Sequence, residues 1–338
     1  MAIRKWALAA FVAALPVSAG QAQSPAEFYK GKTVELYIGY SVGGAYDAYA
    51  RLLARHMGKH IPGNPAIVPK NMEGAGSLRL ANWLYGVAAK DGTVFGIIGR
   101  GIPFDPLLGR GGAQFDAAKF SWIGSANDEV SICAAWHTTP INTFDDLTTK
   151  EMIVGGTGGS ADTDQFPRVL NGVFGTKMKV ISGYPGGNDI NLAMERGEVQ
   201  GRCGWSWSSV EATHPTWVKD KKIRILAQLS LAKHPDLPHV PLIMDLAKNE
   251  EQQKILKLIF ARQVMGRPFL APPNIPADRL AALRKGFMDT MKDPEFLAEA
   301  KKSELEITPV GGEEIQKLVE EVYQTPKDVV TKASAMVK

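Results

Sequence analysis

The sequence predicts an α/β fold built as two lobes, and three observations carry that reading. Short β-branched runs recur at residues 34–38, 94–98, 132–135, 153–154, 180–181 and 223–229. Between several of them apolar residues return at helical spacing, as at Leu53, Met57 and Ile61 or at Leu280, Leu283, Phe287 and Met291. Glycine-rich turns stand where such runs give way to helices. Alternating strands and helices imply a mostly parallel sheet with helices on its faces. Two series of these units are present, one interrupting the other, so residues 23–127 plus 230–338 are expected to form lobe I and residues 128–229 lobe II. The chain would cross between lobes near Cys133 and Leu229. From Pro276 onward the pattern is helical: Pro276 precedes a helix, Asp293-Pro294 breaks it, and Gly311-Gly312 is expected to open the last one.

The first 22 residues carry Arg4 and Lys5, an apolar run from Trp6 to Leu15, and small residues up to Ala22. That order predicts a secretory signal peptide cleaved after Ala22, or after Ala19, and hence a periplasmic protein. The apolar run is too short to span a bilayer, which takes roughly 20 residues. Loss of Arg4 and Lys5 lowers the formal charge from +4 to +2, and no long basic run argues for nucleic acid. With 45% hydrophobic and 22% charged residues the chain reads as globular and not disordered. Two cysteines, Cys133 and Cys203, are too few for a disulfide scaffold; the sequence leaves open a single bridge or two buried thiols.

The most informative motif occurs twice, as Gly43-Gly44-Ala45-Tyr46-Asp47 and Gly158-Gly159-Ser160-Ala161-Asp162. Each follows a strand-like run and precedes a helix, where glycine allows a tight turn and close approach of a ligand. Asp47 and Asp162 suit the N-cap position. Free N–H groups and the helix dipole at such a start attract a carboxylate or phosphate. Gly74-Ala75-Gly76-Ser77 and Gly186-Gly187-Asn188-Asp189 are placed in the same way, so two turns fall in each expected lobe. At strand carboxyl ends they would line a cleft with backbone donors.

With these turns, the chain resembles the substrate-binding receptors of tripartite tricarboxylate transporters, the Bug family. The resemblance spans nearly the whole chain after residue 22. It rests on Gly-Gly-x-x-Asp at Gly43 to Asp47, Asn71-Met72-Glu73-Gly74-Ala75-Gly76, Lys90-Asp91-Gly92-Thr93, Gly158-Gly159-Ser160 and Arg196-Gly197-Glu198-Val199. Pro235-Asp236-Leu237-Pro238-His239-Val240-Pro241 and Ala271-Pro272-Pro273-Asn274-Ile275-Pro276 complete it. The resemblance implies a type II fold like that of periplasmic binding proteins, hinge closure on a small organic acid, and delivery to permease subunits in the membrane. It further implies that Tyr40, Ser41, Gly43, Gly44, Ala45, Tyr46 and Asp47 meet Thr157, Gly158, Gly159, Ser160, Asp162 and Thr163 around the ligand carboxylate. Gly39-Tyr40 stand where the family has Pro-Phe, and Thr163 where it often has His, so the pocket chemistry is its own.

Among side chains, Trp205 and Trp207 are two apart on an expected strand end and would share a face. With Tyr40, Tyr46 and Tyr184 they would give an aromatic lining suited to an aromatic or amphipathic acid. Arg100, just after the run at 94–98, is the first candidate to clamp a carboxylate through two N–H donors, with Arg168 and Arg202 behind it. Arg51, Arg55 and Lys59 read as a solvated helix face. His56 and His60 lack an adjacent acidic ligand in sequence, so no metal is assigned, and no catalytic motif or cofactor loop is found. The expected protein is a monomeric receptor and not an enzyme. The rival readings are a sensor that presents its closed form to a signalling receptor, and an exported enzyme on the same scaffold.

Overall fold

The computed structural model describes residues 23–337; the export segment read at residues 1–22 lies outside the described residues. Eleven strands among them form two sheets. They are β1 (Thr33–Ile38), β2 (Ala66–Asn71), β3 (Val94–Ile97), β4 (Ser121–Ser125), β5 (Ser131–Trp136), β6 (Glu151–Gly156), β7 (Lys177–Ser182), β8 (Gly201–Ser206), β9 (Ile223–Leu229), β10 (Pro268–Ala271) and β11 (Val310–Gly311). The first sheet runs β11-β4-β10-β3-β1-β2 and the second β7-β6-β8-β5-β9. Neither is mostly parallel, contrary to the expectation from the sequence. Pairs β1–β2, β1–β3, β6–β7 and β6–β8 are parallel, while β10 and β11 in one sheet and β5 in the other pair antiparallel. The reason lies in the crossings: a strand entering from the other lobe has no helical crossover to set it parallel.

Local sequence explains the elements that carry the site. In β1 the side chains of Val34, Leu36 and Ile38 are buried on one face, while on the other Thr33 is exposed and Glu35 and Tyr37 are half-buried, Tyr37 against Trp83, the period-2 pattern of a strand. The helix Ala45–His56 lays Tyr49, Leu52 and Leu53 on that buried face. In β2, Pro69 and Lys70 hide the strand from a sequence reading, but it is an edge, where proline costs no ladder bond. The short β4 and β10 were equally inconspicuous, being only five and four residues long.

The lobes join at two crossing segments that hydrogen-bond to each other. Gly266 N–H donates to Asn127 O at 2.9 Å, and Glu129 N–H to Gln263 O at 2.8 Å. The crossings thus lie before Cys133, which sits inside the second sheet. There it faces Cys203 of the neighbouring strand, and the two form a disulfide. Gly312 does open a helix, Gly312–Val322, but a further one, Lys327–Val337, follows. That last helix packs on Glu250–Phe260 and on Asp162–Phe174. The segment 230–338 therefore sends two helices onto the second sheet's side of the molecule.

The helix Ala277–Thr290 covers β4 through Phe287, whose ring lies where a Cβ on Gly124 would be, 2.4 Å from Cε1. Glycine here sets the distance between helix and sheet. Phe287→Ala is expected to lower the unfolding free energy by about 3–5 kcal/mol, read as a shifted urea midpoint with unchanged slope.

Candidate functional site

A cavity of about 50 Å³ lies between the lobes. Three helices open onto it by their first turns: Ala45–His56 through Gly44, Ala45 and Tyr46, Asp162–Phe174 through Ala161, Asp162 and Thr163, and Gly187–Glu195 through Gly187 and Asn188. Such first-turn N–H groups have no partner inside their own helix. Among the described residues, no protein acceptor takes the N–H of Ala45, Tyr46, Thr163 or Asn188. Helices of 12, 13 and 9 residues thus aim their positive ends at one small volume.

Neither aspartate caps its helix as the sequence suggested. Asp47 is the third helical residue, and its carboxylate reaches back to accept from Gly43 N–H at 3.0 Å, with Arg51 Nε at 2.9 Å and Asn71 Nδ2 at 2.9 Å. Although burial opposes it, Arg51 and the Gly43 N–H hold the Asp47 carboxyl below the usual range. Asp47 thus fixes the turn from beneath and does not line the cavity. Asp162 is the first helical residue, and the N-cap Ala161 offers no side chain. Its carboxylate instead pairs with Arg100 Nε at 2.7 Å and Arg262 Nη1 at 3.2 Å.

Arg100 lines the cavity wall, yet its donors are committed to protein. Besides Asp162, Nη2 donates to Ser131 Oγ at 2.8 Å and Ser206 Oγ at 3.0 Å, and Nη1 to Gly266 O at 3.3 Å. Burial would depress its pKa, but Asp162 and further anions hold it above the ordinary value. The expected carboxylate clamp is therefore a brace between lobes. Arg202, ranked behind it in sequence, has the opposite character. Its Nη1 donates to Gly187 O at 3.2 Å and Asn191 Oδ1 at 3.1 Å, while Nε is buried without a partner. Burial, then repulsion from Arg267 and Arg100, pulls its pKa down to about 9.

Of the other sequence candidates, Tyr40, Gly44, Ala45, Tyr46, Thr157 and Thr163 reach the cavity. Tyr40 donates its hydroxyl to Gly76 O at 3.3 Å and stacks on Tyr46, with ring centroids 4.6 Å apart. Thr163 Oγ1 accepts from Thr157 N–H at 3.1 Å, closing the turn where a histidine was expected. Ser41 and Gly43 stand at the rim, where Ser41 Oγ donates to Asp189 at 3.0 Å and Asn188 Nδ2 donates to Gly43 O. Gly158 is drawn against the Ala75-Gly76 turn of the facing lobe. Gly76 N–H donates to Thr157 O at 3.0 Å, and a Cβ on Gly158 would lie 2.6 Å from Gly76 N. These two glycine turns seal the lobes together, so the structure is a closed one. Gly159 backs onto Arg110, and Ser160 is buried away from the cavity lining.

The aromatic lining is smaller than expected. Trp205 is fully buried against His214 and Trp217, and Trp207, the first residue of a helix and not part of β8, packs in the same core. Tyr184 packs on the edge of that core. Sequence assignment missed Gly99, Gly101, Gly204, Ser206, Ser209 and Thr213, which line the cavity with backbone or hydroxyls and carry no motif. Gly187 and Asn188 belong to the turn at 186–189 that the sequence placed at the cleft, although they were not named as site residues.

Arg55 and Lys59 stay on the exposed face expected of them and form surface ion pairs, with Glu299 and with Asp293 and Glu295 of the helix Pro294–Lys302 and its cap. His56 and His60 bond to Glu299 and Asp293 at 2.7 and 2.8 Å, so acidic neighbours absent in sequence are supplied by the fold. No helix among the described residues is long and apolar enough to cross a membrane.

No family model and no curated protein matches the sequence. Solved structures do match in fold. The periplasmic binding protein BugD is 19% identical with a TM-score of 0.73, over 91% of this chain and 99% of that one. MatC from Rhodopseudomonas palustris, solved with bound malate, is 17% identical with a TM-score of 0.71, over 89% and 99%. An R. palustris protein solved with adipate is 17% identical with a TM-score of 0.70, over 90% and 97%. The chain has the two-lobed α/β fold of periplasmic binding proteins, with its cavity between the lobes.

Two outcomes follow from this geometry. Arg100→Met is expected to cost about 3 kcal/mol in urea unfolding, because it leaves a buried carboxylate with Arg262 alone. At the opening lined by Glu211, His234 and Glu306, burial raises the Glu211 carboxyl from 4.5 to about 7. The folded state then holds a proton that the unfolded chain releases, so stability falls as pH rises from about 4.5 to about 7. Glu211→Gln should flatten the melting temperature against pH over that window; an unchanged slope would rule Glu211 out as its source.

Proposed function

We propose that this chain is an extracytoplasmic solute receptor that captures a small organic acid between its lobes and delivers it to membrane permease subunits. The observation that carries the reading is the convergence of three helix N-termini on one cavity between the lobes. Their unpaired N–H groups and aligned dipoles stabilise a carboxylate there without any metal or cofactor. A cavity of about 50 Å³ has room for only a few water-sized groups, which favours a compact acid. Proteins of the same fold have been solved with malate and with adipate, which agrees in ligand class.

In this reading the two lobes, one on each sheet, swing apart about the crossing segments at 127–129 and 263–266 to admit the acid. The site consists of Tyr40, Gly44, Ala45, Tyr46, Thr157, Asp162 and Thr163, with Asp47 and Arg100 acting through the backbone they hold. The residues lining the cavity include no paired acid and base or nucleophile, and a binding role accounts for them. Export through residues 1–22 would place the receptor in the periplasm, where its closed form meets the permease. Closure follows from ligand contacts that exist only when both lobes are engaged.

The test is a thermal-shift series with small mono- and dicarboxylates on the wild type and on Ala45→Pro. Proline fits the first helical position, and the extended Gly44 before it (φ −81°, ψ 167°) accommodates it, so the helix survives while one donor is lost. At least one acid should raise the wild-type melting temperature, and Ala45→Pro should fold yet bind that acid at least about tenfold more weakly, the worth of one charge-assisted hydrogen bond. No shift with any acid would refute the carboxylate reading.

A further inference from the structure

Of the buried arginines around the cavity, one meets no carboxylate. Four arginines with at most 8% exposure surround it: Arg100, Arg202, Arg262 and Arg267. Arg100 and Arg262 share Asp162, and Arg267 pairs with Glu129 at 3.1 Å. Arg202 meets no carboxylate. Its flat face lies over the Trp205 ring, 4.9 Å from the centroid, and Nη1 is held by Gly187 O and Asn191 Oδ1. What is left is the Nε/Nη2 edge, where Nε is buried and unbonded and Nη2 donates to no protein atom among the described residues. A buried cation without a counterion is costly, and a fold keeps one only where something supplies the missing charge.

We propose that Arg202 is the specificity-determining cation of the cleft, receiving a second oxyanion group of the ligand on its Nε/Nη2 edge so that dianions are selected over monoanions. The inference rests on the receptor reading and deepens it. Helix N-termini satisfy one carboxylate with partial charges; Arg202 adds a full charge that a monoanion cannot answer as well. The guanidinium edge matches the two oxygens of a carboxylate, and the stacking on Trp205 together with the Nη1 bonds fixes it before the ligand arrives. Selection against the monoanion then comes from leaving a buried charge unanswered.

Succinate and butyrate, which share a four-carbon chain and differ by one carboxylate, test this directly by calorimetry on wild type, Arg202→Met and Arg202→Lys. The wild type should bind succinate at least about tenfold tighter than butyrate. Arg202→Met should lose that preference, with succinate bound at least about tenfold more weakly than by the wild type. Arg202→Lys should keep part of the preference, because the charge remains and the fork is lost. A second readout separates this role from a structural one: ligand-free Arg202→Met should melt at or above the wild type, since the substitution removes an uncompensated buried charge. A lowered ligand-free melting point with the succinate preference intact would overturn the assignment of Arg202 and leave the carboxylate receptor standing. Failure of every acid to bind the wild type would overturn both.

Discussion

The buried ion group at Asp162 is the constraint on which the rest of this molecule turns. Arg100 comes from the end of β3 in one lobe, Arg262 from a crossing segment, and Asp162 from the first helical turn after β6 in the other lobe. Taking these groups out of water is repaid only where geometry is good and remaining donors are satisfied. Here Ser131, Ser206 and Gly266 complete the Arg100 set. The arrangement therefore exists only when the lobes meet, and it places three helix starts around one small volume.

Around that brace the cleft divides its labour by chemistry. Backbone N–H groups face the cavity, while side chains mostly hold the backbone in place. Asp47 ties the first turn down through Gly43, and Thr163 does the same for Thr157. The glycine pair Gly76 and Gly158 lets two main chains touch where any side chain would hold the lobes apart. Arg202 is a lining side chain held through Nη1, with its Nε edge left over.

Much of this was legible in the sequence. The runs at 34–38, 94–98, 132–135, 153–154, 180–181 and 223–229 all became strands, because short apolar, often β-branched runs are a local property. The glycine turns were legible for the same reason, since a strand-turn-helix junction has a short-range signature. Less visible were β2, an edge strand with a proline, and the short β4 and β10, which owe their pairing to neighbours far away in the chain. Strand direction was also hidden, because the crossings at Asn127 and Gly266 decide it.

The sequence by itself determined the two-lobed α/β class, the presence of helix starts after the glycine turns at 43–44, 158–159 and 186–187, and their suitability for an anion. Only the tertiary structure decided which charged groups are spent and which are free. Arg100 and Arg202 look alike in sequence, each beside a β-branched or aromatic run. Their roles separate because Asp162 and Ser131 reach one and no carboxylate reaches the other. Trp205 and Trp207 fell to the core for a similar reason, as strand β8 ends between them and turns the second into a helix start. Partnering over such distances in sequence is a property of packing, and local pattern does not encode it.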